Sequence, residues 1–433
     1  MNVMIVGGGG REHAILEKLR QSPLVDRIYA LPGNGGMQRH AVCVPISAMD
    51  LDGVVRFAVD NPVDFAVIGP DDPLIAGVCD RLRAAGIRCF GPSAAAAEIE
   101  GSKSFAKELM KRYGIPTAAY EVFDRTADAY AYAERAPLPL VIKADGPALG
   151  KGVVIAQTRD EAKSAIRAMM EEGVFGASGS RIVIEAFLTG NEASVLAFTD
   201  GNTIVPMISA LDHKRALDGD LGPNTGGMGT VAPNPFVTKE IASACMERIF
   251  LPTMRAMNAE GRKFTGCLFF GLMLTKDGPK VIEYNCRFGD PETQVVLPLL
   301  ESDLMEILLA VDEGRLYEVP VRFSAGAACC VVLASGGYPG AYQTGCPILL
   351  DGEEEPEGVF LYHAGTKRVD GSLVTSGGRV IGVTALGGDP AAARATAYAA
   401  AERIHFEHAF FRRDIGARAL AGGGNETEGK HGR

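Results

Sequence analysis

Short apolar runs and amphipathic stretches alternate through the first hundred residues. VMIV, RIYAL, DFAVIG and IRCFG read as strands, while REHAILEKLRQS, residues 51–60 and residues 74–85 place apolar side chains at helical spacing. Such alternation predicts a parallel sheet with helices on its faces, a Rossmann-like unit whose ligands sit at the carboxyl ends of the strands. Three loops fall at those ends: residues 7–11 (GGGGR), 32–36 (PGNGG) and 69–74 (GPDDPL). After Gly101-Ser102-Lys103 the texture changes. A helix over 104–113 precedes the strand-like PLVIKADG and GKGVVIAQ, a helix over 160–172, and SRIVIEAFL. From about residue 323, AACCVVLAS, GVFLYHAG and GRVIGVTALG with an Ala-rich helix over 391–404 predict a smaller α/β unit that closes one wall of a site.

Composition narrows the class. A chain of 433 residues with 47% hydrophobic positions suggests two to four domains. Its net charge of −10 argues against a nucleic-acid backbone as partner, while local basic pockets can still hold small phosphorylated molecules. The apolar run at the start is too short for a signal peptide, and no apolar stretch is long enough to span a bilayer. Nine Cys without a CxxC pair read as buried free thiols, so the cytoplasm is the expected location.

The richest chemistry lies at residues 283–292, EYNCRFGDPE. A side-chain period of two puts Glu283, Asn285 and Arg287 on one face of a strand, with Ile282 and Tyr284 on the other. A Glu and an Asn carbonyl suit Mg²⁺, which takes few protein ligands and fills its shell from phosphate and water; Arg287 could balance a phosphoryl group in transfer. An edge strand ending in a Gly-Asp-Pro turn fits the same residues. KADGPALGKGVV resembles a phosphate loop, but its spacing is not that of Walker A. It reads either as a flap charged by Lys143 and Lys151 or as an exposed turn. The loop over 212–229, DHKRALDGDLGPNTGGMG, is either disordered or a substrate loop, and Lys214, Arg215 and the Gly226 and Gly227 amides favour an anion-binding role. A dinucleotide fingerprint in the first loop fails, because Glu12 and His13 stand where its third glycine belongs. The amides of Gly8, Gly9, Gly10 and Arg11 could still cradle one phosphate.

Taken in order, GGGGREHA, GPDDPL, GSKSF, KADGPALGKGV, IVIEAFLTGNEAS, DHKR…DGDLGPNTGGMG, EYNCRFGDPETQ and HAGTK resemble the glycinamide ribonucleotide synthetases, a family of ATP-grasp ligases, over the chain to about Leu420. The resemblance implies an α/β protein with an N-terminal parallel-sheet domain (1–101), ATP-grasp central domains (102–322) with a mobile lid at about 118–190, a small C-terminal α/β domain (323–420) and a flexible tail (421–433). It implies that ATP, glycine and 5-phosphoribosylamine are the small-molecule substrates, with Mg²⁺ or Mn²⁺ as cofactor and no nucleic acid or membrane as partner.

Residue by residue, the resemblance assigns Lys103 and Lys143 to ATP, the flap at Gly150, Lys151 and Gly152 to its phosphates, the segment with Glu185, Phe187 and Leu188 to adenine, and Glu192 to ribose. Glu283 and Asn285 would hold the metal. Asp212, Lys214, Arg287 and Asp290 would face the glycine and phosphoribosylamine sites. Gly8, Gly9, Gly10, Arg11, Gly33, Asn34, Pro70 and Asp71, with Gly226 and Gly227, would receive substrate. Two departures stand out. The strand GCLFFGLMLT lacks an acid found in many ATP-grasp enzymes, and Gly8 occupies the place of a family Asn.

Overall fold

The computed structural model describes residues 1–148, 152–352 and 356–421. Its first unit is a five-stranded sheet in the order Val42–Cys43, Arg27–Pro32, Asn2–Gly7, Phe65–Ile68, Arg88–Phe90, with every pairing parallel. The three loops foreseen from sequence therefore leave adjacent strand ends. The expected helix over 74–85 is two helices, Asp71–Ile75 and Val78–Ala84, because Gly77 adopts φ +86° between them.

The period-two alternation of the first strand joins this unit to the rest. Met4 and Val6 pack in a core with Leu268, Phe270, Tyr284 and Cys286, whereas Val3 and Ile5 pack with Phe269, Phe288, Val295 and Cys330. Both faces are thus buried, and the strand ends are fixed against the segment that carries EYNCRFGDPE.

Two antiparallel sheets follow. One holds Tyr120–Phe123, Ile182–Ala186, Leu140–Ala144 and Val153–Ala156, over a core of its own that includes Ala129, Ile142, Ala165 and Ile184. The other holds Ile204–Pro206, Asn191–Thr199, Gly266–Thr275 and Gly278–Asn285. Residues 187–190, carrying Phe187 and Leu188, cross between them. Val153–Ala156 pairs antiparallel with Leu140–Ala144, so the segment after the GKG loop is a strand, as its β-branched residues predict.

The C-terminal sheet contains Ala327–Ser335, Arg379–Gly387 and Val359–His363, and it also recruits Leu211–Asp212 and Gly229–Ala232. The strands flanking the glycine-rich loop therefore belong to this sheet. The loop itself is ordered by a small hairpin, Arg215–Leu217 with Leu221–Asn224. All cysteines except Cys43 are buried, and all are free thiols. Among the described residues no helix is long and apolar enough to cross a membrane.

Candidate active site

Between the two antiparallel sheets lies a network of buried charge. Lys143 projects from Leu140–Ala144, and Lys107 from the helix Lys103–Arg112. Both reach Glu185, Lys143 at 2.8 Å from Oε1 and Lys107 at 2.8 Å from Oε2. All three are buried. Burial pushes the Glu185 carboxyl up, but Lys143 and Lys107 outweigh it and hold it below the usual range. Burial also lowers Lys107, to about 8 against the pull of Glu185. The Glu185 side chain is thus the counter-ion of two buried lysines at the floor of the site, a role its place in IVIEAFL does not reveal. Lys103 starts its helix and donates to the Gly146 carbonyl at 3.2 Å, and the Asp145 carboxylate accepts from the Ser104 amide at 2.6 Å. These bonds tie the helix start to the root of the flap. Gly152 is described and buried; Gly150 and Lys151 lie outside the described residues.

A β-bulge interrupts the expected alternation of the metal strand. Pairing steps from Leu272–Val281 to Gly271–Glu283, so Val281 and Tyr284 both enter the core. The displaced Ile282 offers its carbonyl to Lys143 Nζ at 3.1 Å. Glu283 lies 3.3 Å from Lys214 Nζ, and Glu192 lies 3.8 Å from the same ammonium. Lys214, with Lys143 and Lys103 beyond it, outweighs burial and lowers the Glu283 carboxyl to about 2. Glu283 is therefore ionised throughout the neutral range. With the Asn285 amide beside it, this is a hard-oxygen pair that fits Mg²⁺ or Mn²⁺. Among the described residues no cluster of three His, Cys, Asp or Glu could hold a metal, so phosphate oxygens and water would complete the shell.

A second group of carboxylates faces the glycine-rich loop. Burial and the neighbouring Glu292 raise Asp212 well above the ordinary range, and burial raises Glu292 as well. Ser194 donates to Glu292 at 2.9 Å. Gly227, at φ +116°, packs so closely that a Cβ there would lie 2.4 Å from Pro291 and 2.8 Å from Asp212. Asp290 pairs with Arg379 at 3.2 Å and accepts from Gln294 at 2.8 Å.

Three of the glycine amides read from the sequence as substrate contacts are hydrogen-bonded within the chain. The Gly226 amide donates to the Tyr338 hydroxyl at 3.1 Å, and the Gly227 amide to Thr225 Oγ1 at 3.0 Å. The Gly9 amide donates to Glu12 Oε2 at 2.5 Å, because a Glu three residues into a helix reaches back to the residue before it. Glu12 also binds Arg11 at 2.6 Å, and Arg11 reaches the Phe288 carbonyl at 3.3 Å.

Gly8 has its own compensation. A Cβ there would meet the Gly33 carbonyl at 2.3 Å, and Asn34 donates to the Gly8 carbonyl at 2.9 Å. Asn34 also donates to the His363 carbonyl at 2.8 Å, which ties the first loop to HAGTK. Pro70 precedes the short helix that Asp71 begins. The structure thus brings Lys103, Lys143, Glu192, Lys214, Glu283 and Asn285 to one cleft, with Arg11, Asp71, Arg287 and Asp290 at the strand ends beside it. Sequence reading missed Glu12, Glu100, Glu292 and Arg379. Glu292 lay inside a motif already singled out, and Glu12 stood at a readable capping spacing.

Two sheets closing on a lysine-lined cleft, with a Glu-x-Asn strand at its edge, are the architecture of an ATP-grasp ligase. Comparison with known proteins specifies it further. Family models described as the phosphoribosylglycinamide synthetase N domain, ATP-grasp (A) domain and C domain match residues 1–100, 101–293 and 328–418. The chain belongs to that family. A phosphoribosylamine–glycine ligase of Caldanaerobacter subterraneus is 48% identical over 96% of this chain and 100% of its own length. That of Escherichia coli is 49% identical over 97% of this chain and 99% of its own. The crystal structure of the Thermotoga maritima phosphoribosylamine–glycine ligase superposes with a TM-score of 0.85 at 35% identity, covering 96% of this chain and 100% of that one. A Campylobacter jejuni biotin carboxylase shares the fold, with a TM-score of 0.73 at 14% identity.

Proposed function

We propose that this chain joins glycine to 5-phosphoribosylamine at the expense of ATP, forming glycinamide ribonucleotide, ADP and phosphate through glycyl phosphate, as a cytoplasmic step of purine biosynthesis. The observation that carries the reading is the Glu283–Lys214 contact of 3.3 Å. It joins the Glu-x-Asn strand to the glycine-rich loop, so a phosphoryl-transfer group and a substrate-loop cation share one point of the cleft.

The chemistry requires activation, because a carboxylate has no usable leaving group. A glycine carboxylate oxygen attacks the γ-phosphorus and the bond to the β-phosphate oxygen breaks, releasing ADP. The sugar amine then attacks the glycyl carbonyl, the carbon–oxygen bond to phosphate breaks, and the nitrogen loses a proton. A divalent cation held by Glu283 and Asn285 would neutralise the β- and γ-phosphate oxygens. Lys103 and Lys143 contribute fixed positive charge at the phosphates, with the flap of Gly150, Lys151 and Gly152 as cover. The segment with Glu185, Phe187 and Leu188 presents backbone groups to adenine, and Glu192 accepts from ribose.

Asp212 and Glu292 repel one another, and the glycine ammonium relieves that repulsion by entering beside them. Lys214 attracts the glycine carboxylate. Gly8, Gly9, Gly10, Arg11, Gly33, Asn34, Pro70 and Asp71 border the place for the sugar phosphate, with Gly226 and Gly227 on the substrate loop and Arg287 and Asp290 facing glycine and the sugar amine. The lid rests on a core of its own, which lets it move as a unit and exclude water from the acyl phosphate. The test is ADP formation with ATP, glycine and phosphoribosylamine omitted in turn. Dependence on all three supports the reading, and turnover without the sugar amine refutes it.

A further inference from the structure

A largely buried carboxylate outside every assignment above meets the site from behind. Glu100 lies near the end of the helix Ala94–Gly101, which packs on the helix begun by Asp71. Its Oε2 accepts from the Cys286 amide at 2.6 Å, one residue past the metal strand. Its Oε1 lies 3.3 Å from Arg287 Nη2. Apart from a 3.4 Å bond to the Phe288 carbonyl, the Arg287 guanidinium has few anchors: its Nε is buried without a hydrogen-bond partner among the described residues. Asp71, from the GPDDPL loop, lies beside Glu100 and faces Arg287 and Arg11.

Burial lifts the Glu100 carboxyl to about 7, with Arg287 opposing the rise and Asp71 adding to it. Burial also acts to raise Asp71, but Arg287 and Arg11 hold it below its usual range. Burial thus favours a protonated Glu100 toward neutral pH while Arg287 and Arg11 favour an ionised Asp71, which eases the repulsion between the two carboxyls.

We propose that Glu100 is a positioning residue that, held by the Cys286 amide, sets the Arg287 guanidinium against the sugar-amine side of the site. The inference rests on the ligase reading, in which Arg287 faces the reacting groups. Glu100 acts as a brace between the N-terminal loop that borders the sugar and the strand that carries the metal ligands. A guanidinium freed from it swings on a long side chain. Misplacement of a charge-neutralising group by about 1 Å costs on the order of 10²-fold in rate.

The experiment measures initial rates with phosphoribosylamine formed in situ from ribose 5-phosphate and ammonia, for wild type, Glu100→Ala, Arg287→Lys and the double variant. Glu100→Ala is expected to lose on the order of 10²-fold in kcat/KM for the sugar amine while the KM for ATP stays the same. The double variant is expected to be no slower than the slower single one, because both changes remove the same contact. Losses that multiply, or a Glu100→Ala enzyme with wild-type kinetics, overturn the proposal. If Glu100→Ala does not fold, Glu100→Gln serves at about pH 8.5, where the Glu100 carboxyl is ionised, since it keeps the size and the bond to Cys286 while losing the ion pair. It is expected to lose roughly tenfold in the same ratio with the ATP KM unchanged, and wild-type activity in it overturns the proposal. Failure of the wild-type protein to use the sugar amine refutes the ligase reading instead, so the two failures are distinguishable.

Discussion

Replacing Glu185 by Gln tests whether the buried charge network holds the cleft together. The change keeps the shape but removes the carboxylate that lies 2.8 Å from Lys143 and 2.8 Å from Lys107. Two ammonium groups would then sit in a dry interior without their counter-ion. Removing one partner of a buried pair costs about 3–5 kcal/mol. Lys107 limits that cost. Its pKa is already lowered to about 8 with Glu185 present, so without it Lys107 sheds its proton near pH 7 rather than remain charged. At roughly 2–4 °C per kcal/mol for a cooperative unit of 150–250 residues, the melting temperature should fall by about 10 °C. Calorimetry at neutral pH measures this, and adding Lys107→Met should recover part of the loss by removing the stranded amine. ATP affinity should fall as well, because Lys143 loses its anchor. A Glu185→Gln protein melting within about 2 °C of wild type would refute the argument, since that shift corresponds to less than about 1 kcal/mol.

Other consequences follow from the same structure. Glu283→Gln should fold and still bind ATP but lose on the order of 10³-fold in turnover, as expected when phosphate charge loses its bridge; a folded variant with near-normal turnover would remove Glu283 from the metal site. Burial lowers His213 to about 4 and His363 to about 3, so the folded state holds both neutral. Unfolded histidine binds a proton below about 6.5, so this stability is complete above that pH and is lost as pH falls toward the folded values, by about 2 kcal/mol per residue at pH 5. Melting scans from pH 7.5 to 5 should show the decline, and in His363→Asn it should be shallower. Gly227→Ala forces a Cβ against Pro291 and Asp212 at a positive φ, so the KM for glycine should rise while ATP binding measured by calorimetry stays constant.

Much of the architecture was legible because local patterns and tertiary demands agree. The alternation VMIV to IRCFG gave the parallel sheet, and the β-branched GVVIA run gave a strand where a Walker loop has a helix. What the sequence hid was mostly non-local. The bulge at Ile282 depends on the register of Gly266–Thr275 opposite, and it turns a carbonyl toward Lys143 that strict alternation would not. Glu185 reads as part of an adenine-binding segment, yet its carboxylate is spent on two lysines 42 and 78 residues away along the chain. Gly226 and Gly227 suggested free amides because glycine-rich loops often bind anions, but Tyr338 and Thr225 occupy them. Glu100 carried no motif signal, since its partners Cys286 and Arg287 follow a strand far along the chain.

The central claim is that glycine is activated on its own carboxylate by ATP and then captured by the sugar amine. Glycine carrying ¹⁸O in the carboxylate tests it directly, in a reaction with ATP and phosphoribosylamine. The oxygen that attacks the γ-phosphorus departs with it, so the account predicts one ¹⁸O atom in each phosphate released alongside glycinamide ribonucleotide. Unlabelled phosphate in a reaction that does form this product would contradict the glycyl phosphate route, and the absence of the product with that amine would contradict the assignment of the site.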